Sequence, residues 1–251
     1  MKRLLSRCNL LSLAGFAALF VLATSFVGAA PTQPKPQTIT DALGNWQFRY
    51  TTLRESDGTY VVLHDYARAS VTDITTAVAA MNQSADQLAN GGKPFKATLV
   101  FQHPLPVAEF KQFVSDMGLS PTGNVLRAVG ADGTSLKVGV PPVWKRDSQG
   151  RLLVGQPIPG GDPLDSAILA RGQAGPHAYH VAGVISTDVT LDSGMYQKIR
   201  HDNRVYAVDI LSQILLPKVQ QAYGIANVNQ IQFQGSLLYP AMETAGLAPK
   251  P

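Results

Sequence analysis

Hydrophobic and polar residues alternate along the chain with two different periods. In NWQFRYTTLRES, Trp46, Phe48 and Tyr50 alternate on one face, and an Asp57-Gly58 turn followed by TYVVLHDY predicts a β-hairpin. After Ser70, apolar residues recur at spacings of three and four, which predicts an amphipathic helix. Ser70 with Asp73 resembles a capping pair at its start. The aromatic residues of the hairpin form either a core face or, alternatively, a ligand surface.

Two segments each show a strand pattern, a helix pattern and a second strand pattern. The first covers residues 95–129 and the second covers residues 178–210. Two such units can interleave into one antiparallel sheet under two helices, the ferredoxin-like arrangement. Strands and helices do not alternate regularly elsewhere. The sequence therefore predicts an α+β fold, with a mainly antiparallel sheet and helices packed on one face.

The first residues have the order of a secretory signal. A basic MKRLLSR segment precedes a long apolar run, and small residues follow in VGAA. We expect cleavage between Ala29 and Ala30, and a secreted or extracytoplasmic mature protein. The alternative is an uncleaved anchor, because the run from Leu10 to Ala30 is long enough to span a bilayer.

The remaining sequence divides at its proline- and glycine-rich stretches. Asp162 followed by Pro163 predicts the start of a helix after the second such stretch. The pattern leaves open whether the two halves of the chain form one domain. The predicted segments are a signal peptide (1–29), a Pro-rich linker (30–42), an α+β N-terminal half (43–140), a Pro/Gly-rich loop (141–162), an α+β C-terminal half (163–240) and a tail (241–251).

Composition narrows the classes of partner. The leader contains three of the 21 Lys and Arg residues and none of the 17 acidic ones, so the mature chain is nearly neutral. Without basic runs it has no electrostatic footprint for nucleic acid or for an anionic membrane. The single cysteine, Cys8, lies in the leader, so the mature chain can form neither disulfides nor thiolate metal sites.

Three of the five histidines lie between residues 177 and 201. His177 and His180 fall in a predicted strand, where their spacing puts them on opposite faces. The chain has no HExxH motif and no catalytic serine motif, so we predict no metal site and no cofactor. A catalytic set assembled from distant residues would start from His180, His201 and Asp202; the alternative is that these are polar residues at the ends of elements.

Trp144 lies inside the Pro/Gly-rich loop. A large apolar side chain in a loop is either packed beneath it or exposed to a partner. We therefore take Trp144 as the candidate binding residue, with packing beneath the loop as the alternative.

The segment HAYHVAGVISTDVTLDSGMYQKIRHDNRVYAVDI, residues 177–210, resembles the closing half of subtilisin-propeptide and proteinase-inhibitor domains. The resemblance implies a ferredoxin-like fold that binds a protease. The leader, the well-patterned core and the lack of convergent catalytic motifs lead us to expect an exported, non-enzymatic protein that binds a protein or other extracytoplasmic macromolecule. A protease-inhibitor-like or propeptide-like protein is the more specific form of this expectation. The alternatives are an exported hydrolase with dispersed catalytic residues and a membrane-tethered structural subunit. The oligomeric state stays open.

Overall fold

A five-stranded antiparallel sheet forms the centre of the molecule. The computed structural model describes residues 37–55, 58–65, 69–149, 152–158, 160–175, 177–224, 231–234 and 236–249. The strands in these ranges are β1 (Gln37–Leu43), β2 (Trp46–Glu55), β3 (Gly58–Asp65), β4 (Phe95–Leu105), β5 (Gly123–Gly130), β6 (Ser135–Val140), β7 (Trp144–Arg146), β8 (Leu152–Pro157), β9 (Tyr179–Leu191), β10 (Val205–Asp209) and β11 (Ile231–Gln234). The helices are α1 (Val71–Asn90), α2 (Val107–Met117), α3 (Ser166–Ala174), α4 (Ser193–Ile199), α5 (Leu211–Tyr223) and α6 (Leu238–Ala245).

The two predicted strand-helix-strand units interleave in this sheet. Its strand order is β10-β4-β9-β5-β6, and every neighbouring pair is antiparallel. The first unit is β4-α2-β5 and the second is β9-α4-β10. Strand β9 therefore lies between the two strands of the first unit, and β4 lies between the two strands of the second. The α+β class is confirmed, and both halves of the chain contribute to one sheet.

Alternation along β4 explains how this sheet holds α2 and α4. Phe101 packs edge-on against Phe110 and Phe113 of α2, with ring centroids 6.0 and 5.3 Å away. Phe95 points to the same face and packs edge-on against Tyr196 of α4 at 5.8 Å. Ala97 and Leu99 between them are also buried. One face of the sheet is therefore an aromatic-rich core under α2 and α4.

Helices cover both faces of this sheet, whereas the sequence predicts them on one. Arg127 of β5 is 4% exposed and forms an ion pair with Glu243 of α6. Arg127 alternates with Leu126 and Ala128, so it points away from α2 and α4. Helix α6 therefore lies on the opposite face.

The predicted linker and tail both contain regular structure. Strand β1 begins at Gln37, inside the predicted 30–42 linker, because Ile39 and Leu43 alternate and pair with Tyr50 and Trp46 of β2. The predicted 241–251 tail begins within α6, where Ala241 and Met242 are buried. In both segments a few apolar residues suffice, because neighbouring elements supply the surface against which they pack.

A second sheet contains the aromatic hairpin. Its order is β1-β2-β3-β11, with β11 parallel to β3. The alternating residues Trp46, Phe48 and Tyr50 are at most 2% exposed, so they form core and not a ligand surface. Helix α1 packs against β2 and also against β10 and α6. The expected Ser70 and Asp73 capping box begins this helix.

The Pro/Gly-rich loop contains a short hairpin of β7 and β8. Asp165, not Asp162, is the N-cap of α3, which begins three residues later than the sequence predicts. Asp162 instead accepts a hydrogen bond from Lys111 of α2 at 2.8 Å. Its carboxylate therefore ties the end of the loop to α2 and is not used to cap the helix.

We expect Gly183→Ala to destabilise the fold strongly. Gly183 of β9 has a φ of 153°, which residues with a side chain rarely adopt, and an added Cβ would lie 2.5 Å from the Leu105 backbone oxygen. The expected cost is about 2–5 kcal/mol, measured by urea unfolding. The matched control is Gly139→Ala in β6, where an added Cβ meets nothing within 4 Å. Equal effects of the two changes would contradict this reading of β9.

Candidate functional site

A cleft of about 200 Å³ lies where α1, the end of α4 and β10 meet. Helix α1 packs against both of the other elements, which fixes the walls of the cleft. The residues that line it are Asn82 of α1, Arg200 and His201 after α4, and Val205, Tyr206, Ala207 and Val208 of β10.

The cleft follows the edge of a strand. Four consecutive residues of β10 line it, and after the bulge the successive residues Ala207 and Val208 belong to opposite faces of the sheet. The cleft must therefore run along the strand and not over one face of the sheet. Strand β10 is the last strand of the five-stranded sheet on this side, so part of its backbone faces away from β4.

A β-bulge places Tyr206 at this edge. The pairing of β10 with β4 shifts between Val205 and Ala207, which leaves Tyr206 without a partner in the register. Bulges of this kind redirect a side chain and are common beside functional sites. Burial raises the pKa of the Tyr206 phenol, so its hydroxyl keeps its proton at neutral pH and can donate a hydrogen bond.

Arg200 is held in the cleft wall from two sides. Its Nη1 forms an ion pair with Asp86 of α1, and its guanidinium carbon lies 5.5 Å from the centre of the Tyr196 ring. The Tyr196 hydroxyl donates to the same Asp86 oxygen at 3.0 Å. Burial, the Asp86 hydrogen bond and the Asp86 charge raise the pKa of Tyr196 to about 12, so this donor stays protonated.

The consecutive residues His201 and Asp202 do not act as a pair, because the Asp202 carboxylate is bound by Arg204. His201 is exposed and lines the cleft. The Asp202 carboxylate instead forms two hydrogen bonds with the Arg204 guanidinium, at 2.9 and 2.7 Å. Hydrogen bonding to Arg204 holds the pKa of Asp202 below its usual range. Asp202 is thus an ionised partner of Arg204, and it does not orient His201.

The other predicted histidines lie elsewhere. His180 is exposed on β9, opposite Val129 of β5, and His177 is exposed before that strand. Neither lines the cleft that contains His201. In the described part of the chain, no three His, Cys, Asp or Glu side chains are grouped so that they could hold a metal ion. The structure therefore does not bring His177 or His180 to the cleft that contains His201.

Trp144 lies at the start of β7, opposite Pro157 of β8. The residue is partly exposed, but its indole nitrogen is buried and has no hydrogen-bond partner among the described residues. The loop that carries it is held by hydrogen bonds from Ile158 to Val143 and from Asp165 to Pro141. The polar end of Trp144 thus points inward, which fits the alternative of packing beneath the loop.

Two acidic residues of the central sheet, the buried Asp209 and the more exposed Asp188, were not anticipated from the sequence. Asp209 and Asp188 lie in one row across the sheet, on either side of Thr98. Asp209 accepts hydrogen bonds from the Leu211 backbone and the Ser236 hydroxyl, both at 2.8 Å. The Ser236 partner of Asp209 and the Thr98 partner of Asp188 lie 27 and 90 residues away in the sequence, so no local spacing predicts these two contacts. The Asp209 bonds fix the starts of α5 and α6, which is a structural task.

Comparison with protein-family models, with curated proteins and with solved structures finds no match. Within the described ranges, no helix combines the length and the apolar character needed to cross a bilayer.

We expect the Asp188→Asn variant to gain stability relative to the natural protein as the pH rises from about 4 to about 7. Although part of Asp188 is exposed, burial raises the pKa of its carboxyl, while the Thr98 hydroxyl, 2.5 Å away, partly lowers it. The folded state thus binds this proton more tightly than the unfolded state, whose pKa is about 3.9. The stability that this proton provides is lost as the pH rises through the folded pKa.

Urea unfolding at several pH values measures this difference. Asp209 lies in the same row as Asp188, and its pKa is also raised, mainly by burial and to a smaller extent by the Asp188 charge. Thr98→Val serves as the opposite case, because it removes a donor to the ionised carboxylate, so its destabilisation should increase with pH. A difference between Asp188→Asn and the natural protein that does not change with pH would contradict the assignment.

Proposed function

We propose that this is an exported, non-enzymatic binding protein that engages a segment of an extracytoplasmic polypeptide in the cleft beside β10. The observation that carries the proposal is the cleft itself: a recess at a sheet edge, with walls fixed by α1 and α4. Its lining combines three apolar residues of β10 with four polar or charged side chains. This is the mixture of shape and orienting groups that recognition sites show.

The size of the cleft favours a polypeptide segment as occupant. Sites that enclose a drug-sized molecule have volumes of about 300–1,000 Å³, and this cleft has about 200 Å³. It can admit a side chain or chain end while the rest of the partner lies outside. The bulge at Tyr206 and the packing of α1 on β10 hinder the addition of a complete strand. Insertion of a short projection fits this shape better.

The resemblance of residues 177–210 suggests a more specific form of this function. Arg200, His201 and all of β10 fall within that segment. A protease-inhibitor-like or propeptide-like protein would then use the cleft to hold part of a protease. Inhibition of a panel of proteases by the mature chain would separate this form from the general one.

Filling the cleft should abolish binding. The natural protein, displayed against a random peptide library, should enrich peptides that bind in solution. We expect Asn82→Trp to weaken their binding by about tenfold or more, because an indole at this partly exposed position occupies the cleft. Fluorescence anisotropy with the enriched peptides measures the change in binding. Thermal unfolding checks that Asn82→Trp still folds.

The matched control is Gln83→Trp. Gln83 follows Asn82 on α1, is exposed and does not line the cleft, so the same indole there should leave binding unchanged. Enriched peptides that bind Asn82→Trp as tightly as the natural protein would place the binding surface elsewhere. A library without enrichment would count against the polypeptide-binding function.

We also propose that residues 1–29 are removed on export. The basic start, the apolar run and the small residues Val27 and Ala29 support this. N-terminal sequencing of the exported protein should find Ala30 first. Ala29→Gln should block cleavage, because a large polar residue replaces the small one before the cut, whereas Thr32→Gln should not. An exported protein that retains residues 10–30 would instead favour the membrane-tethered alternative.

A further inference from the structure

We infer that the cleft beside β10 recognises a carboxylate, provided by an acidic side chain or a chain terminus of the bound polypeptide. This inference rests on the proposed function, because it concerns the same cleft. It is carried by the identity of the lining residues, the orientation of Arg200 and the distribution of acids around it.

The polar groups that line the cleft can all donate hydrogen bonds. Arg200 offers a guanidinium, Asn82 an amide, Tyr206 a hydroxyl and His201 an imidazole. None of the seven described residues that line the cleft is acidic. A carboxylate accepts hydrogen bonds through both of its oxygens, so it matches these donors. A Lys or Arg side chain would instead meet the positive charge of Arg200 without an acid in the lining.

The nearby acids are already engaged outside the cleft lining. Asp86 pairs with Arg200 through one guanidinium nitrogen, which leaves other N–H groups of the fork for a ligand. Asp202 is bound by Arg204 through two hydrogen bonds. Neither carboxylate lines the cleft. They therefore hold neighbouring residues in place and do not occupy the donors that face the ligand.

The contacts of Arg200 also fix its direction. The Asp86 pair and the Tyr196 ring hold the guanidinium from two sides. The guanidinium N–H groups that Asp86 does not use are planar and parallel, the geometry that can bind a carboxylate through both oxygens. Phosphate suits the same fork but usually recruits several cations or a row of backbone N–H groups. One arginine in a small cleft matches a singly charged group better.

Matched peptide libraries test the inference directly. Labelled pentapeptide mixtures without other charges would carry Glu, Gln or Lys at the central position with a blocked C-terminus, and a fourth mixture would have a free C-terminal carboxylate. We expect the Glu mixture, the free-terminus mixture or both to bind about tenfold more tightly than the Gln mixture, with the Lys mixture weakest. The two carboxylate mixtures distinguish a side chain from a chain end.

Variants of one arginine separate recognition from general attraction. Arg200→Gln should reduce the preference for carboxylate to within about twofold, and Arg200→Lys should restore only part of it, because lysine lacks the planar fork. Lys198→Gln is the matched control, since it removes the same charge from an exposed residue of α4 outside the cleft. Equal losses in Arg200→Gln and Lys198→Gln would overturn the inference.

The remaining outcomes distinguish this inference from the proposed function. Equal binding of the Glu, Gln and free-terminus mixtures, still abolished by Asn82→Trp, would leave the polypeptide-binding function in place and overturn the carboxylate assignment. Stronger competition by inorganic phosphate than by acetate would overturn it in favour of phosphate. Failure of every mixture and of the random library to bind would contradict both.

Discussion

The pairing of β4 with two strands of the second unit is the constraint on which the structure depends. Strand β4 is bonded to β9 on one side and to β10 on the other, and both come from the distant second half of the chain. Closing such long loops costs entropy before any contact forms. The cost is offset when both units meet, because only then does Phe95 of β4 become covered by Tyr196 of α4. The core and the sheet must therefore form together.

The same pairing leaves β10 and β6 at the two edges of the sheet. Unprotected edges invite pairing with other chains. At β6, Lys137 pairs with Arg127 in the register and places a charged residue at the edge. Burial and the Arg127 charge both lower the pKa of Lys137. At β10, the bulge and the packing of α1 hinder the pairing of another chain with the edge. The cleft is thus the local opening in an edge that is otherwise protected.

Local patterns predicted most of the elements, and distant contacts account for what they missed. The capping pair at Ser70, the aromatic alternation around Phe48 and the two interleaving units all follow from spacing within a few residues. Arg127 could not be anticipated, because its partner Glu243 lies in a segment whose short apolar pattern predicts a tail. The sequence singled out His201 and Asp202 as candidate site residues. Only His201 lines the cleft, because the local turn brings the Asp202 carboxylate into hydrogen-bonding contact with Arg204.

Arg200, the residue on which the proposed carboxylate recognition depends, leaves no signal in the sequence. A basic residue at the end of a helix is explained by the helix dipole alone, so spacing gives no reason to single it out. Its role comes from Asp86 and Tyr196, which belong to different elements and meet only in the folded chain. A long side chain loses about 1.5–2 kcal/mol of rotamer entropy when it is fixed. Because these contacts already restrain Arg200 in the folded protein, the proposed carboxylate would bear less of that entropic cost when it binds in the small cleft.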